Sequence, residues 1–93
     1  MVWFGEQLPQ AALDAAEAAH GTARIIMNIA GVGSAKRVVG KDGNAAPLED
    51  FERVVRVNLI GTYNVVRLAA ARLAKTEPLA GTAGERGVIV NTA

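Results

Sequence analysis

Three asparagines occupy positions where an amide side chain could take part in chemistry. Asn28 and Asn91 come near the ends of two short apolar segments, and Asn58 lies in the middle of a long amphipathic one. An amide offers both donors and an acceptor, so it can bind a small polar ligand or hold two backbone segments together. The residue types leave both roles open: a ligand site, or ties between neighbouring loops.

The other side chains with catalytic potential do not form a familiar centre. The chain has one histidine, His20, and no cysteine, which argues against a metal site, a disulfide or a Ser-His-acid triad. Glu49, Asp50 and Glu52 suit the positive end of a helix dipole. The glycine-containing stretch Gly31–Lys36 lacks the third glycine of a dinucleotide fingerprint and the Gly-Lys-Ser/Thr ending of a P-loop.

Composition narrows the class of protein. The chain has 93 residues, enough for one domain, with 10 basic and 9 acidic residues and 4% aromatic residues. This balance does not favour a nucleic acid or an anionic membrane as partner. No apolar run reaches the length of a membrane-spanning helix, and MVWFGEQLPQ does not have the pattern of a signal peptide. We therefore expect a cytoplasmic protein with no nucleic-acid or membrane partner.

One long helix, Leu48–Lys75, is predicted from apolar residues at three- and four-residue spacing. Asn58 and Gly61 are unusual in it, because a glycine inside a helix costs about 1 kcal/mol and a buried amide must find partners. Together they predict a bend, a close backbone approach or a site. The apolar stripe comprises Phe51, Val54, Val55, Leu59, Thr62, Val66, Ala69, Ala70 and Leu73.

The remaining elements complete a helix-strand-helix-strand order. A first helix is predicted from Pro9 to His20, with Gly21 as its stop. The apolar, β-branched segments Arg24–Ala30 and Gly87–Thr92 are typical of parallel strands buried on both faces. The order predicts an α/β fold with two adjacent parallel strands, and ligands bind at the carboxyl edge of such sheets. The apolar face of the first helix comprises Ala12, Leu13, Ala16 and Ala19.

Three stretches resemble the centre of the short-chain dehydrogenase/reductase family: NIAG at Asn28–Gly31, LEDFERVVRVNLIGTYNVVRLAA from Leu48, and GVIVNTA from Gly87. The resemblance covers about Ala11 to Ala93 and is greatest to the hydroxyacyl-CoA dehydrogenase branch. It implies a partial Rossmann-like fold, with residues 1–93 as the central fragment of an NAD(P)-binding domain. It also implies NAD or NADP as cofactor and a hydroxyacyl compound or secondary alcohol as small-molecule substrate.

The resemblance also implies roles for individual residues. Asn58 matches the asparagine of the family's catalytic Asn-Ser-Tyr-Lys tetrad, whose backbone carbonyl holds a water of the proton relay at a local helix irregularity. Asn91 would lie near the nicotinamide. The implied cofactor-binding residues are Asn28, Ile29, Ala30, Gly31, Val57 and Thr92.

The chain departs from the family pattern in ways that bear on activity. It has no glycine-rich phosphate loop before Asn28, no serine after Ala93 and no Tyr-x-x-x-Lys motif. We therefore expect the isolated chain to be inactive. The alternative is a non-enzymatic protein that acts through oligomerisation, a homo-oligomer formed through the long helix. Its candidate contact surface comprises Phe51, Leu59, Tyr63, Val66 and Ala70.

Overall fold

A computed structural model describes residues 7–92, and the sequence-based expectations for the start of the chain and for Ala93 lie outside this range. The predicted order of elements and the long helix are confirmed. The elements are α1 (Gln7–His20), β1 (Ile25–Asn28), α2 (Leu48–Val55), a π-helical turn (Arg56–Ile60), α3 (Gly61–Ala74) and β2 (Val88–Asn91). No helix within residues 7–92 is long and apolar enough to cross a membrane.

The two strands are adjacent and parallel, as predicted. Ile25 lies opposite Val88, and Asn28 lies opposite Asn91. The strand ends at Asn28, two residues before the end of the apolar segment Arg24–Ala30 from which it was predicted. Because the register aligns the last residues of both strands, their carboxyl ends form one common edge.

The prediction that both strand faces are buried is wrong for the described chain. Ile26 packs against Ala69 and Leu73 of α3, and Ile89 joins it on the same side of the sheet. Alternate side chains of a strand point to opposite faces. The opposite face is therefore uncovered, because the only helical layer in the described chain lies on the Ile26 side. Its exposed residues are Ile25, Met27, Val88 and Val90.

The predicted apolar stripe of the long helix is only partly correct. Ala69 and Leu73 are buried, but Phe51, Leu59 and Ala70 are exposed. The stripe assumed a constant period of 3.6 residues, whereas the π-helical turn interrupts that period. The next residues along the helix therefore face in different directions from those the stripe predicts.

The π-helical turn is defined by one wider hydrogen-bonded ring. The Gly61 N–H donates to the carbonyl of Arg56, five residues earlier instead of four. This extra residue in the ring shifts the buried face between α2 and α3. Val57 and Asn64, which the stripe omitted, are buried.

Arg24 fixes the point at which β2 begins. Its Nη1 donates to the Thr76 hydroxyl and the Arg86 carbonyl, each at 2.9 Å, and to the Glu77 carbonyl at 3.1 Å. The Arg24 carbonyl in turn accepts the Val88 N–H at 2.8 Å. The loop after α3 is thereby held against the start of the sheet.

The first helix ends as predicted but packs differently. Gly21 has a φ of +82°, and its N–H donates to the Glu17 carbonyl at 2.9 Å. A left-handed residue in this position is a common helix stop, and glycine adopts it without steric cost. Leu13 is half-buried, but the three alanines of the predicted face are exposed. The contact of α1 with α3 depends instead on charged side chains.

The long loop after β1 contains a compact turn. Val39 and Ala45 form an isolated antiparallel bridge, and the Ala46 N–H donates to the Val38 carbonyl at 2.8 Å. Within the turn, the Asp42 carboxylate accepts the backbone N–H of Asn44 at 3.0 Å. Hydrogen bonds from the backbone and side chain of Asn44 lower the pKa of Asp42 below its ordinary value. The loop that leads into α2 is therefore ordered locally by its own polar groups.

Candidate functional site

The carboxyl ends of β1 and β2 bring two of the sequence-selected asparagines together. Asn28 Nδ2 donates to Asn91 Oδ1 at 2.8 Å. The Thr92 N–H donates to the Asn28 carbonyl at 3.0 Å, which extends the pairing by one residue. In open α/β sheets this is the edge at which ligands bind.

Asn58 reaches the same edge from the long helix. Its Oδ1 accepts the Val32 N–H at 2.8 Å, and its Nδ2 donates to the Val32 carbonyl at 2.7 Å. One amide therefore satisfies both polar groups of a single loop residue. The sequence left two roles open for the asparagines, a ligand site or a link between neighbouring segments. In the described residues, the Asn58 side chain links the helix to the loop after β1.

The π-helical turn and Gly31 explain why Asn58 can approach the loop. Asn58 is the central residue of the turn, where the wider helical ring displaces its position from that of a regular helix. A Cβ at Gly31 would lie 3.3 Å from Asn58 Oδ1. The predicted close backbone approach is thus made by Gly31, whereas Gly61 begins α3.

The loop that Asn58 holds has a second tie to the helix. Lys36 Nζ lies 2.6 Å from Asp50 Oδ2, in the first turn of α2. Both side chains retain exposure to solvent, so the pair contributes at most about 1 kcal/mol. The pair therefore positions the loop more than it stabilises the fold. The loop is bound to the helix at Val32 by the Asn58 amide and at Lys36 by the ion pair with Asp50.

The predicted cofactor-binding residues differ in their access to solvent. Ile29 is 64% exposed, and Ala30, Gly31 and Thr92 are also exposed. Asn28 is half-buried, and its amide bonds to that of Asn91. Val57 is 6% exposed, so its side chain is covered by the protein. Five of the six residues therefore lie together at the strand edge, and Val57 lies beneath the surface.

The edge presents backbone, amide and hydroxyl groups. It has exposed backbone at Ala30 and Gly31, an amide pair at Asn28 and Asn91, and a hydroxyl at Thr92. The absence of a Cβ at Gly31 makes room for the Asn58 amide, whose Oδ1 lies 3.3 Å from the position that a Cβ would occupy. The donor set does not resemble a metal centre: residues 7–92 contain no group of three or more His, Cys, Asp or Glu that could hold an ion.

Sequence reasoning missed Val32 and the Lys36–Asp50 pair. Val32 takes part through its backbone, which has no signature in its residue type. Lys36 ends the glycine-containing stretch and Asp50 suits the start of a helix, and nothing in their spacing indicates that they meet. Asn58 was the only part of this network with a readable signal, an amide in an apolar run.

Comparison with known proteins gives a consistent set of relatives. The chain is 47% identical over 85 residues to the bovine 3-hydroxyacyl-CoA dehydrogenase type-2, 45% to the human protein of that name and 43% over 84 residues to that of Drosophila melanogaster. The crystal structure of 3-hydroxyacyl-CoA dehydrogenase type-2 from Mycobacterium avium superposes with a TM-score of 0.82 at 40% identity. The chain has the sequence and fold of a segment of a short-chain dehydrogenase/reductase. No family model matches it.

The short-chain dehydrogenase/reductase segment is much shorter than its relatives. The alignment with the bovine protein covers 90% of this chain but 32% of that protein. The superposition covers 96% of this chain and 34% of the mycobacterial one. The chain thus spans about a third of the length of the curated relatives it matches. The predicted family and the partial Rossmann-like fold are confirmed.

Proposed function

We propose that this chain forms the central segment of an NAD(P)-dependent oxidoreductase and supplies part of its cofactor edge and its catalytic asparagine. The observation that carries the proposal is the double hydrogen bond between Asn58 and Val32, which joins the helix to the loop after β1. That bond fixes the asparagine beside the NIAG loop, where the family resemblance assigns it a role. The identity to dehydrogenases over nine-tenths of the chain supports the same assignment.

The cofactor, NAD or NADP, would be held by exposed groups at the strand edge. Asn28, Ile29, Ala30 and Gly31 would lie against its adenosine half, with Thr92 nearer the nicotinamide. Val57 would support the floor of the cleft from beneath, because its side chain is buried. When bound, such a cofactor supplies hydride transfer.

Asn58 would serve the proton transfer through its backbone. Its side chain is occupied by Val32, which leaves the main-chain carbonyl of the π-helical turn as the group that would hold a water of the proton relay. Wide turns of this kind are frequent at functional sites. The amide would then act as the positioning group, and the carbonyl oxygen as the acceptor.

The substrate we propose is a hydroxyacyl compound or another secondary alcohol. The support is the printed name of the matched relatives, 3-hydroxyacyl-CoA dehydrogenase type-2, which describes those proteins. The described edge is polar and open, and would face a substrate only in company with the segments that the longer relatives contain.

A hybrid enzyme tests this proposal. Residues 9–92 would replace the matching segment of human 3-hydroxyacyl-CoA dehydrogenase type-2, and the oxidation of a 3-hydroxyacyl-CoA with NAD would be measured. We expect the hybrid to turn over this substrate and the 93-residue chain alone to stay at background, since it lacks the tyrosine, lysine and serine of the tetrad. A folded hybrid without turnover, or an active isolated chain, would contradict the proposal.

A second candidate function, self-association through the long helix, has its own support. Phe51, Leu59 and Tyr63 are each 66% exposed on one helical segment. Large apolar side chains exposed in such number commonly mark an interaction surface. We propose that they form the contact of a homo-oligomer, in the enzyme or in the chain alone.

Mass measurement separates this candidate from a purely monomeric chain. We expect light scattering to give more than one chain per particle, and Leu59→Lys to shift the mass towards the monomer, because a charge would be buried in the contact. Val38→Lys is the control, since Val38 is also exposed, at 82% against 66% for Leu59, but lies in the loop before the helix. A monomer at every concentration, or equal effects of both variants, would rule out this surface.

A further inference from the structure

From Pro9 onwards, helix α1 has little apolar contact to hold it in place. Among its side chains from Pro9 onwards, only Pro9, Leu13 and Glu17 are half-buried, and the others are exposed. Alanine, the commonest residue of the helix, also buries little area. At about 25 cal/mol per Å² of apolar surface, this contact contributes little to docking.

Arg72 of α3 compensates by bonding to two acidic residues of α1. Its Nη1 donates to Glu17 Oε2 at 2.6 Å, and its Nη2 donates to Asp14 Oδ1. Asp14 and Glu17 are three residues apart, so they share one face of the helix. The Thr22 hydroxyl donates to the other Glu17 oxygen at 3.3 Å, which helps to orient that carboxylate.

The arginine is well enclosed by this arrangement. Its side chain is 21% exposed, against 63% for Asp14 and 42% for Glu17. Hydrogen bonds from Arg72 to Asp14 and then to Glu17 raise its pKa further above the ordinary arginine value, because they stabilise the charged form. The guanidinium of Arg72 therefore remains charged near neutral pH.

A groove of about 690 Å³ separates the two helices around these ion pairs. Leu68 and Ala71 of α3 line it, together with Ala18 of α1, so the apolar surfaces of the helices are not closely packed there. Lys75, the residue that follows α3, lines the same groove as a second cation. The ion pairs of Arg72 with Asp14 and Glu17 therefore span a space that apolar side chains would fill in a closely packed helix pair.

We propose that α1 is a charge-latched helix, whose docking on α3 is decided by Arg72 and released when its bonds to Asp14 and Glu17 are screened or removed. Release opens the groove and increases the exposure of Leu68, which is half-buried in the docked state, while the sheet and its packing on α3 stay in place. The latch thus makes α1 a separately movable element, and ionic strength is the variable that controls it. This inference does not depend on the proposed dehydrogenase function.

Hydrogen exchange on the full 93-residue chain tests the latch. Backbone amides of α1 and β1 would be followed in wild type, Arg72→Met and the control Arg53→Met, an exposed arginine of α2. Between about 0.05 M and about 1 M potassium chloride, a range that shortens the Debye length from over 10 Å to 3 Å, we expect α1 exchange in wild type to accelerate roughly three- to tenfold. Arg72→Met should show the fast rate at both salt concentrations, and Arg53→Met should behave as wild type.

The β1 amides distinguish a latch from general loss of structure. Their exchange should change less than twofold in every variant, because Ile26 packs on Ala69 and Leu73 and the β1 backbone pairs with β2. Equal acceleration of α1 and β1 in Arg72→Met would overturn the proposal, as would salt-dependent exchange that persists without Arg72. Glu17→Gln provides a second test: combined with Arg72→Met it should add no further acceleration, and full additivity would mean that the two residues act independently.

Discussion

Replacement of Asn58 by alanine in the hybrid enzyme should lower kcat by roughly 100-fold, the loss typical of a small displacement of catalytic groups. The substitution removes the hydrogen bonds to the Val32 N–H and carbonyl, at 2.8 and 2.7 Å. The loop after β1 is then no longer hydrogen-bonded to the π-helical turn through Val32. We expect the turn to lose the contact that orients its carbonyl groups. The backbone carbonyl of residue 58 is still present, so the experiment isolates the positioning role of the amide.

Two further variants make this result interpretable. Asn58→Asp keeps an acceptor for the Val32 N–H but places a carboxylate oxygen against the Val32 carbonyl oxygen. We therefore expect its kcat to be as low as that of the Asn58→Ala hybrid. Asn44→Ala removes an exposed amide from the turn before α2 and should leave kcat within about twofold, in the usual range for surface substitutions. If the Asn58→Ala hybrid folds, binds NAD and retains more than half of its kcat, the amide has no positioning role.

Replacement of Gly87 by alanine should lower the free energy of unfolding by about 2 to 3 kcal/mol, the upper range for overpacking. A Cβ at this position would lie 2.5 Å from the Arg24 carbonyl oxygen and 3.0 Å from both methyl carbons of Leu73. The carbonyl cannot move away freely, because it accepts the Val88 N–H that starts the strand pairing. Relief of the clash must therefore displace β2 or the buried Leu73.

Urea unfolding of the 93-residue chain measures this effect. Gly33→Ala is the matched control, since a Cβ there would meet no atom within 4 Å. It should leave stability unchanged or raise it slightly, because alanine restricts the unfolded chain. Similar unfolding midpoints for the two variants would mean that the close approach of Gly87 to Arg24 is not maintained in solution.

The strands and the long helix were predictable because their signals are local. Apolar β-branched runs marked β1 and β2, and their separation by a helix required parallel pairing. The ends of the strands then placed Asn28 and Asn91 at one edge without further information. The face of each helix was less predictable, since helical phase accumulates along the sequence and one π-helical ring is enough to shift it.

The contacts that assemble the site were largely hidden in the sequence. Asn58 could be recognised as an amide in need of hydrogen-bond partners. Its partners are the backbone N–H and carbonyl of Val32, and because every residue except proline has both groups, the sequence does not indicate which residue would supply them. The same holds for Arg72: Asp14 and Glu17 share a helix face, yet several arginines of the long helix could have met them. Which arginine meets Asp14 and Glu17 depends on the angle and position at which α1 crosses α3. This crossing is determined by packing over the whole segment, which the local sequence does not reveal.

The most direct measurement is a crystal structure of the hybrid enzyme with NAD bound. We predict that residues 28–31 and Thr92 lie within about 4 Å of the cofactor, the usual limit for side-chain contact. We also predict that Asn58 still bonds to both backbone groups of Val32. A cofactor bound away from these strand ends, or an Asn58 amide released from Val32 and turned towards the ligand, would contradict the account.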